Sequence, residues 1–257
     1  DDDKKLLINP EFKAFNTVGA ADTYNGREFF MPFSPIIMQS TAPKKFIDII
    51  NRVGDDVLND DKKSEQWDWS NNLVGKVHKE IQIPISNKEE KKYLANIMKQ
   101  ACLDFLNYSI KKHRAYAWNK LVAGQKMIDG KKIEKPTLKN IHLTQSWIVS
   151  QYAGDYNPWH KHSGNFSGVV YLKLPKDMNK EIMEDYQDHY PSNGLIEFMY
   201  GEACDFRSDG VKFKPEVGKF LLFPSYLKHL LDIVRSSFVF SYMPLTNFTS
   251  ITFEFIC

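Results

Sequence analysis

The sequence predicts an α+β fold that is mainly β, a sandwich or barrel with helices laid along one sheet. Three observations predict it. From residue 141 onward, short β-rich runs follow one another with turn residues between them. Before that point, two stretches carry apolar residues at helical intervals. The chain is also rich in aromatics, with 18 Phe, 12 Tyr and 5 Trp in 257 residues, which suits packed sheets and argues against disorder.

The opening DDDKK resembles the end of an engineered protease-cleavable tag. Residues 1–4 are therefore set aside as a tag remnant, and 5–257 are read as a single domain, with a supporting region over 5–140 and a β core over 141–257. Residues 5–42 mix aromatics with turn residues, and FSPIIMQ is a candidate first strand. From Pro43, which suits a first-turn position, Phe46, Ile49, Ile50, Val53 and Val57 share one helical stripe. Gly75 to Ile85 alternates like a strand. Ser86 and Glu89 have the spacing of a capping box; behind them Leu94, Ile97, Ala101, Phe105 and Tyr108 recur at helical intervals, with an end expected near Lys112–Trp118. Residues 124–140 are basic and Gly-bearing and read as an exposed hairpin or loop.

The strand candidates of the C-terminal half are IHLTQSWIVSQY, FSGVVYLKL, GLIEFMYG, KFLLFPS, SSFVFSYMPL and TSITFEF, separated by turn signals such as Gly154–Pro158 and Pro215–Gly218. The charged insert 175–193 interrupts two core strands and reads as a lid or binding loop, with Tyr186 and Tyr190 as stacking surfaces.

Composition excludes some classes. Net charge is +2, from 34 basic and 32 acidic residues, so no polyanion-binding surface is advertised and no nucleic-acid partner is expected. Cys102, Cys204 and Cys257 form neither a zinc motif nor a disulfide framework, which favours a reducing, cytoplasmic setting. No apolar run approaches the roughly 20 residues that span a bilayer, and no signal peptide is visible, so no membrane partner is expected.

The histidines carry the chemical signal. His78, His113, His142 and His189 have no evident partners and read as ordinary structural or solvated residues. His160 and His162 stand two apart before a strand-like run, and in an extended segment such residues point to one side. They can offer two imidazoles to one metal, or be two polar residues at a strand entrance. His229 follows the run KFLLFPSYLK, six residues before Arg235. The arginine fork suits a carboxylate, and Arg235 has apolar and hydroxyl neighbours in Val234, Ser236, Ser237 and Phe238.

With these residues in view, the stretches QYAGDYNPWHKHSGNFSGVVYL, NGLIEFMYG, GKFLLFPSYLKH and RSSFVFSY resemble the iron(II)- and 2-oxoglutarate-dependent oxygenases, in particular the prolyl-hydroxylase-like branch of marine bacteria and their phages. The resemblance runs in the family's order over about residues 145–245, with a weaker likeness in FSPIIMQ and LVGKVHKEI. It implies a double-stranded β-helix, a jelly-roll or cupin-like barrel with buttressing N-terminal helices. It implies His160 and His229 as metal ligands, with His162 in the place of the family's usual carboxylate. Arg235 would pair with the far carboxylate of 2-oxoglutarate, Ser237 completes an R-x-S pattern, and Tyr152 matches a tyrosine that helps hold the cosubstrate.

Two departures stand out: the family's H-x-D reads H-x-H here, and the interval from His229 to Arg235 is short. The first leaves three readings, namely a three-histidine centre, Asp155 supplying the carboxylate, or an open coordination position as in halogenating relatives. The implied activity is a dioxygenase that hydroxylates a C–H bond, of a peptidyl residue such as proline, using Fe(II), 2-oxoglutarate and O2, supported by ascorbate, with succinate and CO2 as coproducts. A peptide or protein is then the expected partner, and the cytoplasm, a host's if phage-encoded, the expected location. Trp159 lines the pocket or simply packs. The alternatives are a cupin-like metalloenzyme that does not use 2-oxoglutarate, and a non-catalytic jelly-roll protein of a virion.

Overall fold

A computed structural model describes residues 22–30, 35–72, 75, 77–111, 127–128, 131–132, 137–152, 154–175, 194–203, 209–231 and 248–256. The described residues begin with a hairpin, β1 (Asp22–Tyr24) and β2 (Arg27–Phe30), that the sequence reading passed over. Its turn is Asn25-Gly26, with φ of 52° and 69°, the pairing of residues a tight hairpin demands. β3 (Ile37–Thr41) follows, then helix α1 (Lys44–Leu58) and the short α2 (Asp61–Gln66). The stripe residues Phe46, Ile49, Ile50, Val53 and Val57 are all buried. β4 (Lys79–Gln82) is shorter than the alternation of 75–85 predicts, since Pro84 has no N–H to continue a ladder.

Helix α3 (Lys88–Lys111) is capped differently from the expectation. Asn87, not Ser86, caps it: the Asn87 side-chain oxygen accepts the backbone N–H groups of Glu89 and Glu90 at 2.9 and 3.2 Å. The expected helix end near Lys112–Trp118 falls outside the described residues. A two-residue pair, β5 (Met127–Ile128) with β6 (Lys131–Lys132), lies where a hairpin or loop was expected.

The remaining strands among the described residues are β7 (His142–Gln151), β8 (Asn157–His160), β9 (Phe166–Lys173), β10 (Ile196–Met199), β11 (Gly210–Phe213), β12 (Lys219–Pro224), β13 (Lys228–Leu231) and β14 (Phe248–Ile256). The expected insert beyond residue 175 and the run SSFVFSYMPL lie outside the described residues. An eight-stranded antiparallel sheet has the order β1-β2-β3-β12-β9-β14-β7-β4, and a four-stranded one the order β11-β10-β13-β8. From β7 to β14 the chain passes back and forth between the two sheets, in the pattern of a double-sheet jelly roll.

Side-chain alternation explains the layers. In β9, Val169 and Tyr171 face one core cluster while Val170 and Leu172 face another; in β12, Leu221 and Phe223 oppose Phe220 and Leu222 in the same way. The first cluster joins these residues to Ile196, Phe198, Val211, Phe213 and Leu231 of the small sheet. The second joins the far face of the large sheet to apolar residues of α1 and α3, among them Phe46, Ile50, Leu94 and Phe105. Strands buried on both faces need near-continuous apolar runs, which is why GVVYL and FLLF do not alternate in the sequence. Among the described residues no helix is long and apolar enough to cross a membrane.

One buried acid is left at the edge of the large sheet. Glu80 on β4 is 4% exposed, and its Oε1 has no hydrogen-bond partner. Burial, with the charge of Asp68 second, pushes its carboxyl up to about 7. The folded form holds a proton that the unfolded chain releases near pH 4.5, so this contribution to stability is lost as pH rises from about 4.5 to 7. Glu80→Gln, which is isosteric and uncharged, is expected to raise stability at pH 8 by about 1–2 kcal/mol and leave it unchanged at pH 4, as read by urea unfolding at the two pH values.

Candidate metal centre

Three stretches of the C-terminal half converge between the sheets. β8 ends at His160, and β13 carries His229 directly opposite it in the strand register. β10 flanks β13 on the other side and sets Phe198 against His229. His162 lies two residues beyond His160, in a turn fastened by its own backbone N–H, which donates to the Ser225 carbonyl at 3.0 Å. Ser225 donates in turn to the Asn165 carbonyl at 3.1 Å, so the two loops at this end of the sandwich are tied together. The ring centroids of the three histidines are 4.9 Å (160 to 162), 4.3 Å (160 to 229) and 5.0 Å (162 to 229) apart. Each offers a ligand nitrogen, and these nitrogens all lie within 4.8 Å of one another.

The hydrogen bonds of the rings decide which nitrogen each presents. The His160 Nδ1 sits 2.6 Å from the Pro158 carbonyl, and the His229 Nδ1 3.0 Å from the Leu227 carbonyl. The His162 Nδ1 sits 3.1 Å from the Oε1 of Glu254. Every one of these partners accepts, so each Nδ1 carries the proton and each Nε2 is left with a lone pair. The buried His162 Nε2 has no hydrogen-bond partner. Lone pairs gathered at one point without a donor repel each other, and a cation removes that repulsion.

Proton competition for this site is weak. Burial outweighs the Pro158 hydrogen bond and, with His162 nearby, lowers the His160 imidazole to about 4. Complete burial, then the neighbouring histidines, holds the His229 imidazole well below its ordinary value. Both rings are therefore neutral at pH 7, the form that binds metal. The donor set, three imidazoles, suits iron among the first-row metals, and the residues present fit such an ion.

The cavity around these rings is lined by Trp147, Asn157, Tyr171, Phe223 and Thr252 as well as the histidines. Among the described residues, its polar side-chain groups beyond the imidazoles are the Trp147 indole N–H, the Asn157 amide and the hydroxyls of Tyr171 and Thr252. Burial raises the Tyr171 phenol far above its ordinary value, so it stays protonated and can donate.

Of the residues expected from sequence, His160, His162 and His229 are brought together. Arg235 and Ser237 lie outside the described residues. Tyr152 is half-buried and is not among the residues lining this cavity; its ring packs edge-on to His78 at 4.3 Å. Asp155 is buried, but its Oδ2 accepts the backbone N–H groups of His78 and Tyr152 at 2.8 and 2.9 Å and it is not part of the metal-ligating group. Trp159 is 39% exposed, an aromatic at the rim next to His160.

Sequence reading missed Tyr171 and Glu254. Glu254 on β14 is 4% exposed; besides His162, it accepts the Ser163 hydroxyl at 2.7 Å through Oε2. Burial alone would raise its carboxyl, but the hydrogen bonds from His162 and Ser163 outweigh it and hold the group below the usual carboxylate range.

Residues 145–238, which contain all three histidines, match a family described as "Putative 2OG-Fe(II) oxygenase". Over that segment the chain is similar to the 2-oxoglutarate-dependent iron(II) oxygenases, the class that the C-terminal sequence resembles. The family implies Fe(II), 2-oxoglutarate and O2. No curated protein sequence matches the chain.

Among solved structures, a Pseudomonas putida prolyl-4-hydroxylase is similar at 14% identity and a TM-score of 0.44, over 86% of this chain and 92% of that one. A viral collagen prolyl hydroxylase from Paramecium bursaria Chlorella virus-1, in complex with 2OG, is similar at 12% identity and a TM-score of 0.40, over 85% and 94%. A Burkholderia pseudomallei protein of the 2OG-Fe(II) oxygenase family is similar at 11% identity and a TM-score of 0.39, over 85% and 84%. Likenesses at this level identify no shared substrate.

Proposed function

We propose that the chain is an iron(II)- and 2-oxoglutarate-dependent dioxygenase that hydroxylates a C–H bond of a peptidyl residue such as proline. The observation that carries this is the meeting of three Nε2 lone pairs between the sheets, within the segment that matches the oxygenase family. His160, His162 and His229 would hold the ion. Bound iron with 2-oxoglutarate and O2 supplies the chemistry: decarboxylation to succinate and CO2, and insertion of one oxygen atom into the substrate.

The protein's own residues do the rest. The carbonyls of Pro158 and Leu227 fix the tautomers of His160 and His229. Phe198 and Phe223, with ring centroids 5.7 and 4.8 Å from His229, keep that ring dry and immobile. The Tyr171 hydroxyl, the Thr252 hydroxyl and the Asn157 amide, which line the cavity, would offer hydrogen bonds to the cosubstrate, and Arg235 would be the partner of its far carboxylate. Within the described cavity Tyr171 is better placed for this role than Tyr152. The peptide would approach from the rim at Trp159, and ascorbate would serve as the external reductant for the bound iron.

The test is succinate release on addition of iron, ascorbate and 2-oxoglutarate, followed by mass spectrometry of proline-containing peptides. A gain of one oxygen atom is expected; release of succinate with no modified peptide would remove the peptidyl substrate from the proposal. A second reading is a cupin-like metalloenzyme that holds an ion on the same three histidines and does not use 2-oxoglutarate. The two readings separate by thermal unfolding with Mn(II) bound. At 100 times its dissociation constant, 2-oxoglutarate adds about 2.7 kcal/mol of stability on the first reading and nothing on the second.

A further inference from the structure

The oxygenase family that residues 145–238 match usually holds its ion with two histidines and a carboxylate. This chain has no acidic residue at 162, and Asp155 is spent on backbone N–H groups. A centre of three neutral imidazoles would bury a dication with no negative charge in contact with its ligands. One carboxylate answers this. Glu254 contacts His162, with Oε1 3.1 Å from Nδ1, while the buried Nε2 of that ring has no hydrogen-bond partner. It is rigidly placed. β14 is paired with β7 and β9 on either side, so Glu254 lies opposite Gln145 and Ser167. Its carbonyl accepts the Thr144 hydroxyl at 3.1 Å, and its second oxygen accepts the Ser163 hydroxyl at 2.7 Å.

We propose that Glu254 is the positioning residue that makes His162 a metal ligand: it holds the ring with Nδ1 protonated and Nε2 toward the ion, and it places one step further out the negative charge that a ligating carboxylate would supply. The proposal rests on the metal-centre reading above. A carboxylate behind a ligating imidazole orients it and raises its basicity, and loss of such a partner weakens metal binding by about 10–100-fold. The direct contact of Glu254 is with Nδ1, not with the cluster of Nε2 atoms, which separates this role from that of a ligand.

The experiment is a Co(II) titration of the purified full chain, followed by visible absorption and calorimetry, with Fe(II)-dependent activity left aside. Glu254→Gln keeps an oxygen that can accept the Nδ1 proton but removes the charge; Glu254→Ala removes both. The expected result is Co(II) binding weakened about 10-fold in Glu254→Gln and toward 100-fold in Glu254→Ala. If Glu254→Ala fails to fold, the isosteric Glu254→Gln carries the test. The decisive control is the His162→Asp background, where the carboxylate moves into contact with the ion. There the ring that Glu254 orients is absent, so Glu254→Gln is expected to weaken Co(II) binding by much less than it does in the unaltered protein. Unchanged affinity in both single variants overturns the proposal. So does an equal loss in the His162→Asp background, which marks a merely structural role, or retention of binding in His162→Ala together with its loss in Glu254→Ala, which makes Glu254 itself the ligand. Absence of Co(II) binding by the unaltered protein refutes the metal centre instead, so the two failures are distinguishable.

Discussion

His229→Ala is expected to abolish iron binding and 2-oxoglutarate turnover while the protein still folds. The site gains its geometry from strand pairing, and the pairing of β13 with β8 and β10 uses backbone groups that the substitution leaves alone. What is lost is one of three ligands. Removal of a mere outer-sphere partner costs about 10–100-fold, so loss of a ligand is expected to cost more than 100-fold in activity. The stability cost is modest, about 1–3 kcal/mol, from a cavity left against Phe198 and Phe223, partly offset by removal of a buried polar ring. His160→Ala is expected to behave alike, with a smaller stability cost because His160 is only partly buried. Succinate release and bound-iron analysis read the first effect, circular dichroism and a melting curve the second. Turnover within 10-fold of the unaltered protein in either variant contradicts the metal centre; full activity in His162→Ala contradicts the three-histidine version alone.

The second large effect is on the cosubstrate. Arg235→Ala is expected to raise the KM for 2-oxoglutarate about 100-fold with a smaller change in kcat, because a guanidinium pairing with a carboxylate contributes about 1.5–3 kcal/mol and every 1.4 kcal/mol is tenfold. Arg235→Lys is expected to recover only part of this, since an ammonium lacks the two-pronged geometry. The split matters more than the size. A KM effect marks binding of the remote carboxylate, whereas a fall in kcat alone would place Arg235 at the reacting end. An unchanged KM would leave the carboxylate to the hydroxyls of Tyr171 and Thr252, which line the cavity.

The sequence disclosed the site unevenly, and particular residues show why. His160 and His162 were legible because an i, i+2 pair in an extended segment shares a side, and the structure sets their rings 4.9 Å apart. His229 was singled out by its place after the run KFLLFPSYLK, but its role as a ligand came from the family resemblance, since nothing local reveals that β13 pairs with β8. Strands β8, β11 and β13 are each 4 residues long and belong to the smaller sheet, too short for a period of two to declare itself. Long buried strands such as β9 and β12 announced themselves as apolar runs.

Two signals were present and went unread. Asn25-Gly26 is a tight-turn pair, and it makes the first hairpin. Glu254 is a lone carboxylate inside the β-rich run TSITFEF, where an acid is out of place unless something within reach holds it. That partner is His162, 92 residues earlier in the chain, and such pairings follow from tertiary structure alone. The helix cap was misread by one residue for a simpler reason: Ser86 and Asn87 are both good caps, and only the path of the backbone decides between them.

The most direct measurement is a crystal structure of the protein soaked with Mn(II), located by its anomalous scattering. The account predicts a single strong peak between the two sheets, bonded to the Nε2 atoms of His160, His162 and His229, with Glu254 on the far side of the His162 ring. A peak coordinated by a carboxylate in place of His162, or no peak at these histidines in a protein that has otherwise kept its fold, would contradict it.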